Sequence, residues 1–524
     1  MTTITPYRSE LRPGRDGFAQ LLHAEWTKFR TVRGWIIGVI IAVLVAAGLG
    51  LLAATTVQSS CQQISRSGQS AARSGAACMP SFATGPGGEP VDDSFYFVRQ
   101  PLTGDGSITI RVTSMTGLLY AEQGPQDSHP GLVQWAKAGV IIKENLNQGS
   151  AYAAMMVSGD HGVRMQWNYT GDTAGLSGAV GPADPRWLRL TRSGDVITGY
   201  DSADGTNWTR VGTVTLSGLP ATVQAGLFTT SPDQVVLHGA SASTWPSQAT
   251  AVFDHVTLSR AGAWTGQYLG AGDASGIGGF HQVGDRFTVT GSGDIAPIWA
   301  GHGGSLDAAL TVTDYLIGTF AGLIAIAVVA TMFITGEYRR RLIRTTLAAS
   351  PRRGRFLAAK AIVIGAVAFV AGLIGAAAAV LIGGKITRDR GYLEFPVHWP
   401  TELRVIIGTG VLVAVAAVLI LAVGAIVRRS AATVAIAIVA IVVPYFLSAV
   451  GVVPLGVADW LLRITPAAGF ALQQAYPPYA QVDGLYAARN GYYPLAPWAG
   501  LAVLAAWAAV ALAVAVYLLR RRDA

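Results

Sequence analysis

The segment YLIGTFAGLIAIAVVATMFIT (residues 315–335), followed at once by GEYRRRLIR (residues 336–344), decides the fold. The first part contains no charged side chain, and it is long enough for an α-helix to cross the ~30 Å hydrocarbon core of a bilayer. Arginines cluster directly after it. An apolar run of this length that ends in arginines predicts a membrane helix whose C-terminal end faces the cytoplasm.

Five further apolar runs have the same character. The chain has 524 residues, of which 51% are hydrophobic and only 13% are charged, and its mean hydropathy is +0.41. This composition excludes a wholly soluble protein and a disordered chain. The six predicted spans cover residues 36–54, 315–335, 361–384, 405–427, 431–451 and 498–519.

Positive charge is concentrated in alternate connections between these spans. Half of the 38 Lys and Arg residues lie in four segments, residues 1–34, 336–360, 428–429 and 520–522, although the net charge of the whole chain is only +8. This distribution predicts a multi-pass cell-membrane protein with both termini in the cytoplasm. It also argues against a nucleic-acid partner, because no compact basic domain is present to hold one.

Residues 55–314 separate the first two spans and are expected to form an extracytoplasmic domain. In residues 163–169, Val, Met, Trp and Tyr alternate with Arg, Gln and Asn, as they do in half-buried strands. Similar runs are joined by hairpin turns at residues 193–195 and 204–205. We therefore predict an all-β sandwich, jelly-roll-like, at about residues 90–260; a further strand set near 287–295 either extends it or begins a stalk.

Two shorter segments have their own periodicity. In residues 17–33, Phe18, Leu22, Trp26 and Phe29 recur at helical spacing, which predicts an amphipathic helix in the cytoplasmic interface; the alternative is a solvated juxtamembrane segment. The connection at residues 452–497 is too short and broken to span the membrane. It is either a helix that dips into the outer leaflet or a surface loop.

The sequence lacks the residue patterns that ion-coupled transport and nucleotide binding commonly require. No Asp, Glu, Lys, Arg or His lies within the six predicted spans, which disfavours ion-coupled transport. Residues 383–385 read Gly-Gly-Lys but are followed by Ile386, so no nucleotide-binding loop is predicted. We expect no catalytic residue, metal site or bound cofactor in this chain, and it is therefore not predicted to be an enzyme.

The loop at residues 335–347, the N-terminal EWTKFR (residues 25–30) and the six-span layout together resemble permease subunits of the type-two ATP-binding-cassette exporters. The resemblance covers the N-terminal 55 residues and residues 315–524. It implies a partner ATPase in the cytoplasm that binds ATP and magnesium, and a second permease copy as dimer partner. Whether that copy is identical is left open by the sequence.

The resemblance also implies roles for particular segments. Residues 17–33 would be the family's connecting helix, with Glu25, Trp26, Lys28 and Phe29, and residues 454–474 would form re-entrant helices. Residues 336–360 would be the cytoplasmic coupling loop. The residues expected at the ATPase interface are Glu337, Tyr338, Arg339, Arg341, Leu342, Ile343, Arg344 and Leu347.

The inserted domain has a resemblance of its own. Residues 135–143, 187–190 and 202–208 are similar to concanavalin-like jelly-roll modules of secreted bacterial proteins. The candidate ligand residues are Trp135, Lys143 and Trp167, although the tryptophans could equally belong to the core. Besides an exporter subunit, a membrane-anchored sensor that binds a glycan or peptide is therefore an alternative function.

Cys61 and Cys78 are the only cysteines. Both lie in the segment that is expected outside the cytoplasm, where thiols oxidise. We therefore predict a disulfide between them; the alternative is two free thiols.

Overall fold

A computed structural model describes residues 17–56, 83–121, 124–238, 241–259, 262–270, 278–298, 310–339, 353–390, 394–484 and 486–522. Their architecture is a bundle of membrane helices with a β-sandwich inserted between the first two spans. The predicted fold class is thereby confirmed.

Six helices in the described part of the chain are long and apolar enough to cross a membrane. They are Arg33–Thr55, Val312–Tyr338, Arg353–Asp389, Trp399–Val427, Ser430–Val450 and Pro497–Arg521, called the first to sixth spans below. A separate N-terminal helix, Phe18–Thr31, precedes them. The second span consists of Val312–Tyr315 and Thr319–Arg339. The fifth consists of Ser430–Ala437, a π-helical turn at Ile438–Val442, and Val443–Val450.

The second and fourth spans are the most buried, and the first and sixth are the least. Glycines allow the helices to approach closely: a Cβ atom at Gly318 would lie 2.1 Å from the carbonyl oxygen of Ala46 in the first span. At Gly372 it would lie 3.1 Å from the Cα of Gly410 in the fourth span. Small residues at such contacts give membrane helices the packing that holds them together.

The basic helix ends lie together. Arg353, at the start of the third span, donates a hydrogen bond of 2.9 Å to the carbonyl of Leu519 near the end of the sixth. The guanidinium of Arg428 lies 4.8 Å from the ring centre of Tyr338, which joins the end of the fourth span to the end of the second. We call this side of the bundle the basic end and the opposite side the sandwich end.

A bent helix pair follows the fifth span. Leu455–Ile464 and Pro466–Gln473 meet at 99°, where a proline interrupts the helical hydrogen bonding. Trp507 of the sixth span donates a 2.9 Å hydrogen bond to the carbonyl of Ile464, the last residue of the first helix of this pair. Just after the end of the second helix of the pair, the carbonyl of Gln474 accepts a 2.6 Å hydrogen bond from Arg404, which lies near the start of the fourth span. The pair therefore enters and leaves at the sandwich end, like a re-entrant element.

The sandwich has two large sheets whose pairings are all antiparallel. One sheet has the order β17-β3-β13-β6-β7-β8-β9, and the other has the order β12-β11-β10-β4-β16-β19-β18 with β5 beside β4. A three-stranded sheet, β1-β2-β20, and a hairpin, β14-β15, complete the domain. The strands are β1 Ala83–Thr84, β2 Pro90–Asp93, β3 Phe95–Thr103, β4 Gly106–Ala121, β5 Gly124–Pro130, β6 Lys137–Lys143, β7 Tyr152–Ser158, β8 Val163–Trp167, β9 Gly171–Ala174, β10 Arg186–Ser193, β11 Val196–Ser202, β12 Thr209–Thr215, β13 Thr222–Thr230, β14 Gln234–His238, β15 Ser241–Trp245, β16 Ser247–Leu258, β17 Thr265–Leu269, β18 Gly278–Val283, β19 Arg286–Gly291 and β20 Ile295–Pro297.

Alternating residues fill the space between the two sheets. Leu188 and Leu190 are fully buried there while Arg189 points outward, as the period-two pattern requires. The strand set near residues 287–295 extends the sandwich, because β19 pairs with β16. The described strands therefore continue to Pro297.

The outer face of the seven-stranded sheet is covered as well. The small sheet formed by β1, β2 and β20 lies over it, and a second apolar core that includes Phe95, Tyr152 and Phe228 fills the space between them. The first two described strands of the domain and its last strand thus lie on this face.

The sandwich rests on two connections at the sandwich end of the bundle. Gln481, between the fifth and sixth spans, donates a 2.9 Å hydrogen bond to the carbonyl of Tyr169. Gly88 approaches the connection between the third and fourth spans so closely that a Cβ atom would lie 2.9 Å from the His398 ring. The inserted domain is consequently packed onto the bundle as well as linked to it by its two chain connections.

Protonation of Asp92 in β2 is expected to affect the stability of the sandwich. Burial of Asp92, reinforced by the nearby Asp93, Asp233 and Asp294 and only partly offset by a hydrogen bond with Ser94, raises the pKa of Asp92 to about 7. The usual pKa of an Asp side chain is about 3.9, so the folded state binds this proton more tightly than the unfolded state. The stability of this region should therefore fall as pH rises from about 4 to about 7.

Hydrogen exchange of the full chain in detergent measures this effect. Protection factors in β2 and β20, corrected for the intrinsic exchange rates, should be higher at about pH 5 than at about pH 8. The Asp92→Asn variant should show equal hydrogen-exchange protection at the two pH values. Equal protection in the wild type would contradict the assignment.

Candidate functional site

The face of the N-terminal helix that packs on the bundle includes a charged residue, Glu25. Phe29 is buried and packs edge-on against Phe333 of the second span, with 5.5 Å between ring centres. Glu25, one turn earlier, is fully buried, whereas Trp26 is 43% exposed. The apolar stripe predicted from the sequence therefore describes only part of the helix, because the face that packs on the bundle is centred on Glu25 and Phe29.

Glu25 belongs to a ring of four alternating charges, which we call the four-charge cluster: Glu25, Lys28, Glu337 and Lys360. Lys360 Nζ lies 2.7 Å from Glu25 Oε2 and 3.2 Å from Glu337 Oε1. Lys28 Nζ lies 2.8 Å from Glu25 Oε1 and 3.1 Å from Glu337 Oε1. Each lysine thus contacts both carboxylates, and the cluster is neutral overall.

Its surroundings are apolar on the side of the bundle. Lys360 is 1% exposed, and its ammonium lies 4.0 Å from the ring centre of Phe333, which adds a cation–π contact. Lys28 is 40% exposed and closes the cluster toward solvent. Burial acts to lower the pKa of Lys28, but the carboxylates of Glu25 and Glu337 outweigh it, so this pKa is raised and Lys28 stays charged at neutral pH.

The cluster joins three elements at the basic end. Glu25 and Lys28 are on one side of the N-terminal helix, Glu337 is in the last turn of the second span, and Lys360 is about two turns into the third span. Removing one partner from a buried ion pair commonly costs ~3–5 kcal/mol, because the remaining charge is left without compensation. The three helix ends are therefore expected to move together.

The residues predicted at the ATPase interface divide into two groups. Glu337 contacts lysines of its own chain, Tyr338 lies beside Arg428, and Arg339 ends its helix. Arg341, Leu342, Ile343, Arg344 and Leu347 lie outside the described residues, as do Cys61 and Cys78 of the predicted disulfide. The segment expected to dock on the ATPase is thus attached directly to the four-charge cluster.

A family model described as "ABC-2 family transporter protein" matches residues 20–524. The chain belongs to this family. It is accordingly the membrane subunit of an ABC transporter, and the family implies a partner ATP-binding subunit. The match extends across the inserted sandwich. No curated protein matches the sequence significantly.

Solved structures resemble only part of this ABC-2 protein. A functionally unknown protein from Saccharomyces cerevisiae has 13% identity and a TM-score of 0.21, and the match covers 36% of this chain and 86% of that chain. Scytalido-glutamic peptidase with a transition state analog inhibitor has 8% identity and a TM-score of 0.25, covering 40% and 100%. The GH43 protein BlXynB from Bacillus licheniformis has 14% identity and a TM-score of 0.17, covering 33% of each. Structural similarities this weak do not indicate the activity of the ABC-2 protein.

The ligand candidates in the sandwich of the ABC-2 protein are largely enclosed. Lys143 is fully buried and ion-paired with Asp93 at 2.7 Å. Trp135 is buried and stacks on His161 with 3.9 Å between ring centres. Trp167 is half-buried against Gly171. In this structure Lys143 has no exposed surface for a ligand, and these three residues give the sensor alternative little support.

The helix bundle of the ABC-2 protein has a half-open apolar cavity of about 370 Å³ beside the π-helical turn, and several of its lining residues are exposed on the outside of the bundle. It lies between the fourth, fifth and sixth spans, and Leu419, Ile441, Pro444 and Trp507 are among its lining residues. π-helical turns often occur at functional sites because they widen a helix locally. The cavity can accept an apolar group.

Removal of one charge from the four-charge cluster should destabilise the protein. We expect Glu25→Gln and Lys360→Met each to lower the free energy of unfolding by ~3–5 kcal/mol, and Lys28→Met to have a smaller effect because it is partly exposed. The matched control is Lys385→Met, which removes an exposed lysine at the sandwich end. Thermal unfolding of the full chain in detergent provides the measurement.

The double variant of Glu25→Gln with Lys360→Met should cost less than the sum of the two single variants, because each single variant leaves the other charge of the pair without its partner, whereas the double variant removes both charges. A Lys360→Met protein as stable as Lys385→Met would contradict the role of the cluster.

Proposed function

We propose that this chain is the permease subunit of an ATP-driven exporter, and that a separate chain in the cytoplasm hydrolyses the ATP. The four-charge cluster is the observation that best supports this proposal. It ties the N-terminal helix to the second and third spans at the point where the predicted coupling segment leaves the bundle. A permease without its own nucleotide site needs such a connection to receive force from outside the membrane.

The orientation follows from charge. Arginines and lysines are concentrated at the basic end, so this end is proposed to face the cytoplasm and the sandwich to lie outside. The partner ATPase would then dock where residues 340–352 connect the second and third spans. Movement of this segment would be transmitted through Glu337 and Lys360 to both spans at once.

The transport pathway is proposed to lie between two copies of the chain. The sixth span leaves much of its apolar surface uncovered, so a second permease copy has surface on which to pack. An identical copy is the simplest partner, because one surface then serves both subunits of a twofold dimer. Alternating access would result from rocking of these subunits against each other.

The substrate is proposed to be apolar or amphipathic. The cavity beside the π-helical turn is lined mainly by aliphatic side chains and Trp507. An apolar lining offers no compensation for a desolvated ion. Export, from the cytoplasmic side to the side of the sandwich, is the direction that the resemblance to exporters supports.

The docking of the ATPase can be tested on the coupling segment. Leu342, Ile343 and Leu347 have helical spacing and are proposed to form an apolar face that contacts the ATPase. Leu342→Asp and Ile343→Asp should abolish copurification of an ATPase subunit from native membranes, because each places a charge on this face. Thr345→Asp introduces the same charge in the same segment, but away from the centre of this face in a helix, and serves as the matched control. All three variants must first be shown to insert normally.

An undiminished complex in both Leu342→Asp and Ile343→Asp, with normal ATP hydrolysis, would refute this docking site. Loss of the complex in all three would show that charge alone, and not the apolar face, is responsible.

A further inference from the structure

An apolar groove of about 490 Å³ runs along the outside of the bundle between the first and third spans, next to the N-terminal helix. It is separate from the cavity beside the π-helical turn. Its lining residues are Trp26 and Phe29 from the N-terminal helix, Ile36, Val39, Ile40, Val43 and Leu44 from the first span, and Ala366, Val367, Val370, Ala371 and Ile374 from the third span.

The groove results from the sequence of the two spans. In the first span the lining residues recur every three or four positions from Ile36 to Leu44, which gives one continuous stripe roughly 12 Å long at 1.5 Å per residue. The third span presents Ala366 and Ala371 at the same level, and their short side chains leave a depression. The result is a narrow channel parallel to the helix axes and open to lipid.

The mouth of the groove at the basic end is positively charged. Arg30 follows Trp26 by one turn on the same face of the N-terminal helix, and Arg33 precedes Ile36 and Ile40 on the stripe of the first span. Both arginines are exposed. The neighbouring carboxylate, Glu25, is fully buried and paired with lysines, so it does not neutralise them.

We infer that the groove binds one anionic phospholipid from the leaflet at the basic end. One acyl chain lies along the stripe of the first span, and the phosphate group contacts Arg30 and Arg33. Trp26, 43% exposed at the level between groove and mouth, occupies the position that tryptophans favour at the membrane interface. Arginines near an anionic headgroup strengthen its binding, and long basic side chains reach the interface readily.

A second copy of the chain is a poorer occupant of this groove. A twofold contact brings the same patch of both copies together, so Arg30 and Arg33 would face their own counterparts or lie close to them. The described residues provide no exposed carboxylate at this mouth to compensate the repulsion. Charge complementarity therefore favours an anionic lipid.

Binding would also have a structural consequence. A lipid in the groove touches the N-terminal helix, the first span and the third span. Buried residues of the same three elements, including Phe29, also pack together in the apolar core of the bundle. A ligand that binds only this arrangement stabilises it. The anionic lipid is thus expected to hold the N-terminal helix against the bundle.

Native mass spectrometry of the full chain in mild detergent tests the inference, with phosphatidylglycerol or phosphatidylcholine added at equal concentration. The wild type should retain one phosphatidylglycerol in preference to phosphatidylcholine. Arg30→Gln with Arg33→Gln should lower this retention on the order of tenfold. Val370→Trp, a change at an exposed position, should fill the groove and abolish retention.

The matched control is Arg520→Gln with Arg521→Gln, which removes the same charge from the exposed end of the sixth span. This pair should leave retention unchanged. Equal retention of the two lipids by the wild type, or unchanged retention in the Arg30/Arg33 and Val370→Trp variants, would overturn the proposal. Efficient disulfide cross-linking of two Ile40→Cys copies in membranes would also overturn it, because a second chain would then cover the groove.

Discussion

The buried ammonium group of Lys360 is the constraint on which the basic end of the bundle depends. Lys360 is in the third span, and its ammonium group is almost completely out of contact with water, beside an aromatic ring. A charge in such a place is costly unless partners compensate it. Glu25 and Glu337 provide that compensation from two other elements. The N-terminal helix therefore has to lie where it does, and the second and third spans have to end together.

Close packing and hydrogen bonds connect the elements at the sandwich end. Glycines let the first span meet the second, and Gly88 lets the sandwich approach His398. Gln481 then links the connection between the last two spans to the sandwich. The inserted domain is in this way mechanically connected to the spans that line the apolar cavity.

Much of the fold could be predicted because its signals are local. Uncharged runs such as residues 315–335 reveal the spans, and alternation around Leu188 and Leu190 reveals the strands. The candidate site could be predicted only in part. Glu25 counts as a polar residue in any helical pattern, and its partner Lys360 is far away in the sequence, so periodicity could not show that both are buried. The small sheet over the seven-stranded sheet is not visible in the sequence for the same reason, because β2 and β20 come from opposite ends of the domain. A lysine at the start of a long apolar run was the one signal that could have drawn attention to the cluster.

The central claim is that the four-charge cluster fixes the N-terminal helix to the third span. Distance measurement by double electron–electron resonance tests it, with spin labels at the exposed positions His23 and Ile362 of the full chain in nanodiscs. Cys61 and Cys78 are replaced by Ser for this purpose. The account predicts one narrow distance distribution in this background and a broad one after Lys360→Met, while Lys385→Met leaves it narrow. A distribution that stays equally narrow in Lys360→Met would contradict the account.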